Sequence, residues 1–396
     1  MADTALMHTY GRLPVAFASG QGAWLKDTEG KDYLDALSGI AVCGLGHAHP
    51  AVTEALCKQA GTLMHTSNLY RVSAQEAAAQ KLTQLAGMDK VFFCNSGAEA
   101  NEGAIKLARL HGHKKQIDTP QILVMDNAFH GRTLATLSAT GNRKVQAGFE
   151  PLVSGFIRCP YNDLDAARSI IESRSDLAAV LIEPIQGEGG LQAASDEVMN
   201  GLRQLCDEHD LLLMLDEVQT GNGRTGHYYA YQGFNWKPDV LTTAKGLGNG
   251  FPIGAVLAQG QAAELFQPGH HGSTYGGTPL GCAVVLAVLK TLEEENLCQR
   301  ASQLGERIQD RLQQQLGDLD ALVEIRGRGL MIGIELDRPC TELVKLALDS
   351  GLLINVTAGS VIRLLPPLIF TDQEADQLVD RLVPLVKDWL ATTSTP

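Results

Sequence analysis

The chain has 396 residues, of which 44% are hydrophobic and 19% charged, with a formal net charge of −13. That balance belongs to a folded protein with a sizeable core and excludes a disordered chain. The acidic surplus argues against nucleic acid or an anionic membrane surface as the main partner. No apolar run is long enough to span a bilayer, "PLGCAVVLAVL" (279–289) being the nearest, and the first residues lack signal-peptide character. Eight cysteines without a C-x-x-C pair read as reduced thiols of a cytoplasmic protein.

In chain order, "LKDTEGKDYLD" (25–35) predicts two short strands around Glu29-Gly30. The histidines of "GHAHP" (His47, His49) and "HGHKK" (His111, His113) have no second ligand pair nearby, so no metal site is expected. From about residue 51 helix and strand alternate. Apolar runs predict strands at 90–95, 121–127, 155–161, 177–184, 211–218, 240–244 and 253–259. Several are continuously apolar, as strands buried on both faces are. Helical periodicity appears at 97–112, 163–174 and 195–210. This alternation predicts an α/β fold with a mostly parallel sheet and helices on both faces. From about 278 a long helical stretch (278–315) leads to strands within 321–336, 352–357 and 361–367 and a last helix at 371–391. The expected organisation is an N-terminal segment (1–50) joining the small domain, a large domain (51–277) and a smaller α+β domain (278–396).

Ligands of open α/β sheets collect beyond the carboxyl ends of strands. After the first large-domain strand, Ser96 and Glu99 spell a capping box, so the helix starts at Gly97 with free N–H groups suited to phosphate. Asp216 ends a run of five apolar residues and needs a cationic or donor partner. Beyond it, Gly221, Gly223 and Gly226 spell G-x-G-x-x-G, but the aromatic stretch that follows is poorly helical and the next acid, Asp239, comes too early for a dinucleotide site. Glu183 ends another strand. Phe129, His130 and Arg132 follow a fourth, where an aromatic or imidazole could stack on a flat ring and the guanidinium could clamp a carboxylate. Lys245 ends a strand ahead of the glycine-rich "GLGNGFPIG". A buried, readily deprotonated lysine is the usual nucleophile toward an aldehyde. Taken one at a time, these features are a capped helix, a solvated strand end and a snorkelling lysine. Together they are the parts of a pyridoxal phosphate site.

Six ordered motifs, "NSGAEANEGAIKLAR", "FHGRT", "IEPIQGEGG", "LLLMLDEVQTGNGRTG", "TTAKGLGNGFPIGA" and "HGSTYGGTPLGCA", resemble the class III, fold type I, pyridoxal-phosphate aminotransferases from about residue 10 to the C-terminus. The resemblance implies a large domain with a seven-stranded sheet and a homodimer with shared active sites. It implies that Lys245 holds the cofactor as an imine and then moves the proton, that Asp216 pairs with the pyridinium nitrogen and that Gln219 bonds the ring oxygen. Gly97 and Ala98 would offer N–H groups to the phosphate, and Phe129 would stack on the ring. Thr274 would reach the phosphate in the neighbouring subunit, and Ser273 would lie beside the substrate. Arg132 would bind the distal carboxylate and Arg363 the α-carboxylate of glutamate or 2-oxoglutarate, with Glu183 covering Arg363 while an acylated diamino acid is bound. The nearest branch acts on N-acetylated ornithine; other ω-amino donors share the chemistry. Ile40 stands where relatives using free ornithine carry an aromatic, which would favour an acylated amine. Asn222 in "QTGNGRTG" is an oddity to which no role is assigned.

Overall fold

The computed structural model describes residues 5–393. All seven apolar runs of the large region are strands: β1 (Lys90–Cys94), β2 (Gln121–Met125), β3 (Phe156–Cys159), β4 (Leu177–Ile182), β5 (Leu212–Asp216), β6 (Val240–Thr243) and β7 (Gly254–Ala258). They form one sheet in the order β1-β7-β6-β5-β4-β2-β3. The pairs β6/β5, β5/β4, β4/β2 and β2/β3 are parallel, while β7 runs antiparallel to both its neighbours. Every residue of β4, β5, β6 and β7 is buried, which is why these stretches read as unbroken apolar runs.

The pleat divides the core. Ile122, Val124, Met214 and Val240 meet Ala104, Ile105 and Ala108 of the helix Gly97–Lys114 on one face. Leu123, Met125, Leu213 and Leu215 point to the other face, into a core that continues to the N- and C-terminal regions. Each such leucine or isoleucine contributes about 1.5–3 kcal/mol through burial.

The hairpin expected at 25–35 forms from Trp24–Asp27 and Asp32–Asp35, with Phe17–Gln21 on its outer side. Leu352–Leu353 joins Asp32–Asp35 in parallel, so chain from both ends shares one sheet. A second antiparallel sheet orders Leu322–Arg328, Met331–Leu336, Val361–Leu364 and Asn355–Thr357. The run at 352–357 is therefore divided between two sheets. The helical stretch expected at 278–315 is two helices, Pro279–Glu294 and Leu297–Leu316, separated where Asn296 takes φ +52°. Asparagine tolerates that left-handed conformation, which no helix continues through. Among the described residues no helix is long and apolar enough to cross a membrane.

Candidate active site

A cavity of about 400 Å³ opens beyond the carboxyl ends of β1, β5 and β6, a volume ordinary for a small-molecule site. Eight of the residues expected to act line it: Gly97, Ala98, Phe129, Arg132, Glu183, Asp216, Gln219 and Lys245.

Lys245 follows β6 after one residue, Ala244, and takes φ +46°, unusual for a side chain with a Cβ. Such strain persists only where its surroundings enforce it. No carboxylate among the described residues lies within 4 Å of its Nζ. Burial lowers its ammonium to about 8; Arg363 adds to the lowering, while Asp216, Glu188 and Glu183 oppose it.

Asp216, last residue of β5, is 4% exposed. Its Oδ1 accepts from the Val218 N–H at 3.0 Å, and its Oδ2 accepts from Asn101 Nδ2 at 2.7 Å and faces His130 Nδ1 at 2.8 Å. Thr242 Oγ1 donates to Asn101 Oδ1 at 2.7 Å, which fixes the amide with its nitrogen toward Asp216. The buried acid thus has the donors its position required. His130 Nε2 is buried without a hydrogen-bond partner among the described residues.

The Ser96 hydroxyl accepts from the Glu99 N–H at 3.2 Å, capping the helix Gly97–Lys114. The Glu99 carboxylate turns back to the Asn95 N–H at 2.8 Å, one residue earlier than a reciprocal capping box would place it. The N–H groups of Gly97 and Ala98 have no acceptor among the described residues. A Cβ on Gly97 would lie 2.7 Å from Val218 Cγ1, so only glycine lets the helix start against that wall.

Phe129 is half-buried, with the exposed Arg132 guanidinium 5.5 Å from its ring centroid. No carboxylate among the described residues pairs with Arg132. Glu183 is buried and accepts from the N–H groups of Phe129 (3.0 Å) and Gly187 (3.3 Å). Burial raises its carboxyl to about 7, with Asp216 also raising it and His130 and the two backbone donors opposing.

Arg363, in Val361–Leu364, is fully buried just behind this wall, and its partner differs from the expected one. Its Nη1 meets Glu188 Oε1 at 2.6 Å, the Gly187 carbonyl at 3.1 Å and Gln219 Oε1 at 3.4 Å, while Nε donates to Asn355 Oδ1 at 3.1 Å. Glu183 is already engaged by backbone N–H groups, so the covering carboxylate is Glu188.

Ser273 and Thr274 lie outside the cavity lining. The Ser273 hydroxyl accepts from Asn95 Nδ2 (3.1 Å) and the Gly276 N–H (3.0 Å). Ile40 packs in an apolar cluster with Ile185, Leu191 and Met331; the apolar side chain of its segment that lines the cavity is Val42. The loop holding Gly221, Gly223 and Gly226 leads into a short 3₁₀ turn, Ala230–Gly233, and no α-helix follows it, so the dinucleotide pattern lacks its helix. Asn101, Glu188 and Asn355 were not singled out in the sequence. Only Glu188 carries a local signal there, as a second acid on the loop after β4.

The residues fit pyridoxal phosphate: a capped helix with unengaged N–H groups for a phosphate, an aromatic and Val218 for a ring, a buried donor-held acid for a ring nitrogen, and an ammonium biased toward the neutral amine. Among the described residues no three histidine, cysteine or acidic side chains are grouped to hold a metal ion.

Known proteins agree with this geometry. A family model described as aminotransferase class-III matches residues 6–386. An acetylornithine aminotransferase of Nitrosomonas europaea is 53% identical over 381 residues, 96% of this chain and 97% of its own. A solved ornithine aminotransferase of Toxoplasma gondii, described with partial occupancy of PLP at its active site, is 34% identical with a TM-score of 0.95, covering 99% of this chain and 93% of that one. A solved N-acetylornithine aminotransferase of Stenotrophomonas maltophilia is 35% identical with a TM-score of 0.85, covering 97% of this chain and 98% of that one. With this cavity on this sheet and these likenesses along nearly its whole length, the chain belongs to the class III aminotransferases, enzymes that depend on pyridoxal phosphate.

Proposed function

We propose that this enzyme transfers the terminal amino group of N-acetylornithine to 2-oxoglutarate, giving N-acetylglutamate 5-semialdehyde and glutamate. The observation that carries the reading is the unequal state of two arginines. Arg132 stands open at the cavity, while Arg363 is covered by Glu188. A donor with one carboxylate far from its reacting amine needs one open guanidinium; glutamate needs a second beside the reacting carbon. Release of Glu188 from Arg363 would supply it. Acetylornithine aminotransferases of Nitrosomonas europaea and Methanothermobacter thermautotrophicus, 53% and 47% identical to this chain, support the reading.

When bound, pyridoxal phosphate supplies an electron sink for the pair left when a proton leaves the amine-bearing carbon. The N–H groups of Gly97 and Ala98 would hold the phosphate, and Phe129 and Val218 would flank the ring. Asp216, held by Asn101 and His130, would keep a proton on the ring nitrogen, and Gln219 would bond the ring oxygen. Lys245 would anchor the cofactor and, as a neutral amine, take the donor's proton and return it one position over. Arg132 and Arg363 orient the two carboxylates.

The same reading makes the enzyme a cytoplasmic homodimer with Thr274 serving the neighbouring subunit's phosphate and Ser273 its substrate. It divides the chain into a small domain built from both ends (1–50 and 278–396) around a large cofactor-binding domain (51–277). Exposed Leu69, Tyr70 and Tyr275 support the dimer: Tyr275 follows Thr274, and Asn68, beside Leu69, donates to the Ser273 carbonyl.

Free ornithine is the second reading, favoured by the higher TM-score to an ornithine enzyme; backbone likeness reports fold, and the site decides substrate. Val42 lines the cavity with an apolar side chain that offers no acceptor to a charged α-amine. The test is loss of the cofactor's visible band after single additions of each donor to holoenzyme. N-acetylornithine should react with kcat/KM about a hundredfold above ornithine. Equal rates would overturn the assignment.

A further inference from the structure

Asn222 commits its amide nitrogen to the residues that precede Lys245. It is 4% exposed and takes φ +57°, a conformation asparagine tolerates. Its Nδ2 donates to Thr243 Oγ1 and to the Ala244 carbonyl, both at 3.1 Å. Its Oδ1 accepts from the Tyr228 hydroxyl at 3.2 Å. The hydroxyl can only donate to the amide oxygen if the nitrogen faces β6, so Tyr228 sets the amide's orientation. On the far side of the lysine, a Cβ built on Gly246 would lie 3.1 Å from Asn222 Cβ, so the side chain also bears on the backbone after Lys245. One side chain therefore lies along both flanks of a residue whose backbone is itself in the left-handed region. A strained φ of that kind needs neighbours that over-determine it, and here a named side chain does so.

We propose that Asn222, oriented by Tyr228, is a positioning residue that holds the Ala244–Lys245–Gly246 turn and so aims the Lys245 amine into the cavity. This rests on the assignment of Lys245 as cofactor anchor and proton carrier. An apolar side chain at 222 could fill the same space but could not bond the Ala244 carbonyl.

The test compares holoenzyme carrying Asn222→Asp, Asn222→Gly or Tyr228→Phe with wild type. Aspartate keeps the volume and tolerates positive φ but presents an acceptor to the Ala244 carbonyl. Glycine keeps the backbone freedom and removes the amide. Both should lower kcat about tenfold while KM for the amino donor stays within about threefold. Read without substrate, the pH midpoint of the cofactor's visible band should rise by about half a unit in Asn222→Asp. There a new carboxylate joins Asp216, Glu183 and Glu188 against Arg363 around the lysine. Tyr228→Phe should shift kcat in the same direction by less. A kcat within twofold of wild type in both Asn222 variants would overturn the proposal, whatever the midpoint does. If those variants do not fold, Tyr228→Phe decides it, and an unchanged kcat there would overturn it. Borohydride reduction of wild-type holoenzyme and peptide mapping separates the two levels: a label on any lysine other than Lys245 overturns the anchor assignment itself, whatever the variants do.

Discussion

Glu188 reaches Arg363 and Glu183 does not, although both lie on the loop that follows β4. The difference is one of prior engagement: backbone N–H groups hold Glu183, whereas the Glu188 side chain is partly exposed and free to leave. Glu188→Gln should leave the Arg363 charge uncovered. The ratio of kcat/KM for N-acetylornithine to that for glutamate should then fall about tenfold in half-reaction kinetics. An unchanged ratio would remove the gate from the mechanism. At Lys245, an amine held near 8 by burial should make reconstitution pH-sensitive in the neutral range. The rate at which cofactor-stripped enzyme recovers its visible band should rise from pH 7 to 9 with a midpoint near 8, because the neutral amine is the nucleophile. A rate still climbing at pH 10 would mark an ordinary lysine. Lys245 and Asp216 were legible in the sequence because each ends a β-branched or apolar run where a charge needs a reason. Asn101 was not, because its partners His130, Asp216 and Thr242 come from three distant segments. No local pattern records such a meeting.

At the scale of elements, the helix Gly97–Lys114 and β5 share a joint: Gly97 lies under Val218, two residues past Asp216. Gly97→Ala must push either the helix start or the valine, at a cost of about 1–3 kcal/mol. The expected results are cofactor affinity lower by about tenfold in equilibrium titration and a reduced melting temperature. Adding Val218→Ala should restore much of both, since the two changes share one contact. All seven strands of the sheet were readable as apolar runs because both its faces are covered. The break at Asn296 was hidden, because the polar residues around it are ordinary helix formers and only its backbone conformation ends the helix.

For the whole molecule, the proposed reading has a second copy contribute Thr274 to each site. Sedimentation should then give twice the chain's mass. Mixing Lys245→Ala subunits with Thr274→Ala subunits should yield more activity than the two parents summed, because one site of each mixed dimer carries neither change. Activity no greater than that sum would argue against shared sites.

The antiparallel strand β7 has a consequence for how the protein is made. On the sheet, β1 has no neighbour other than β7, which is synthesised long after it. The helix that follows β1 packs on β2, β5 and β6, but the strand that leads into its open N–H groups gains its sheet neighbour only once the ribosome has passed Ala258. Lys245 emerges shortly before β7, so anion cradle and amine come into register in one late event. A nascent chain stopped earlier would display β1 as a bare edge, open to pairing with other chains. The vitamin-derived cofactor can therefore reward only a polypeptide made past Ala258, and one truncated before it would meet quality control without it.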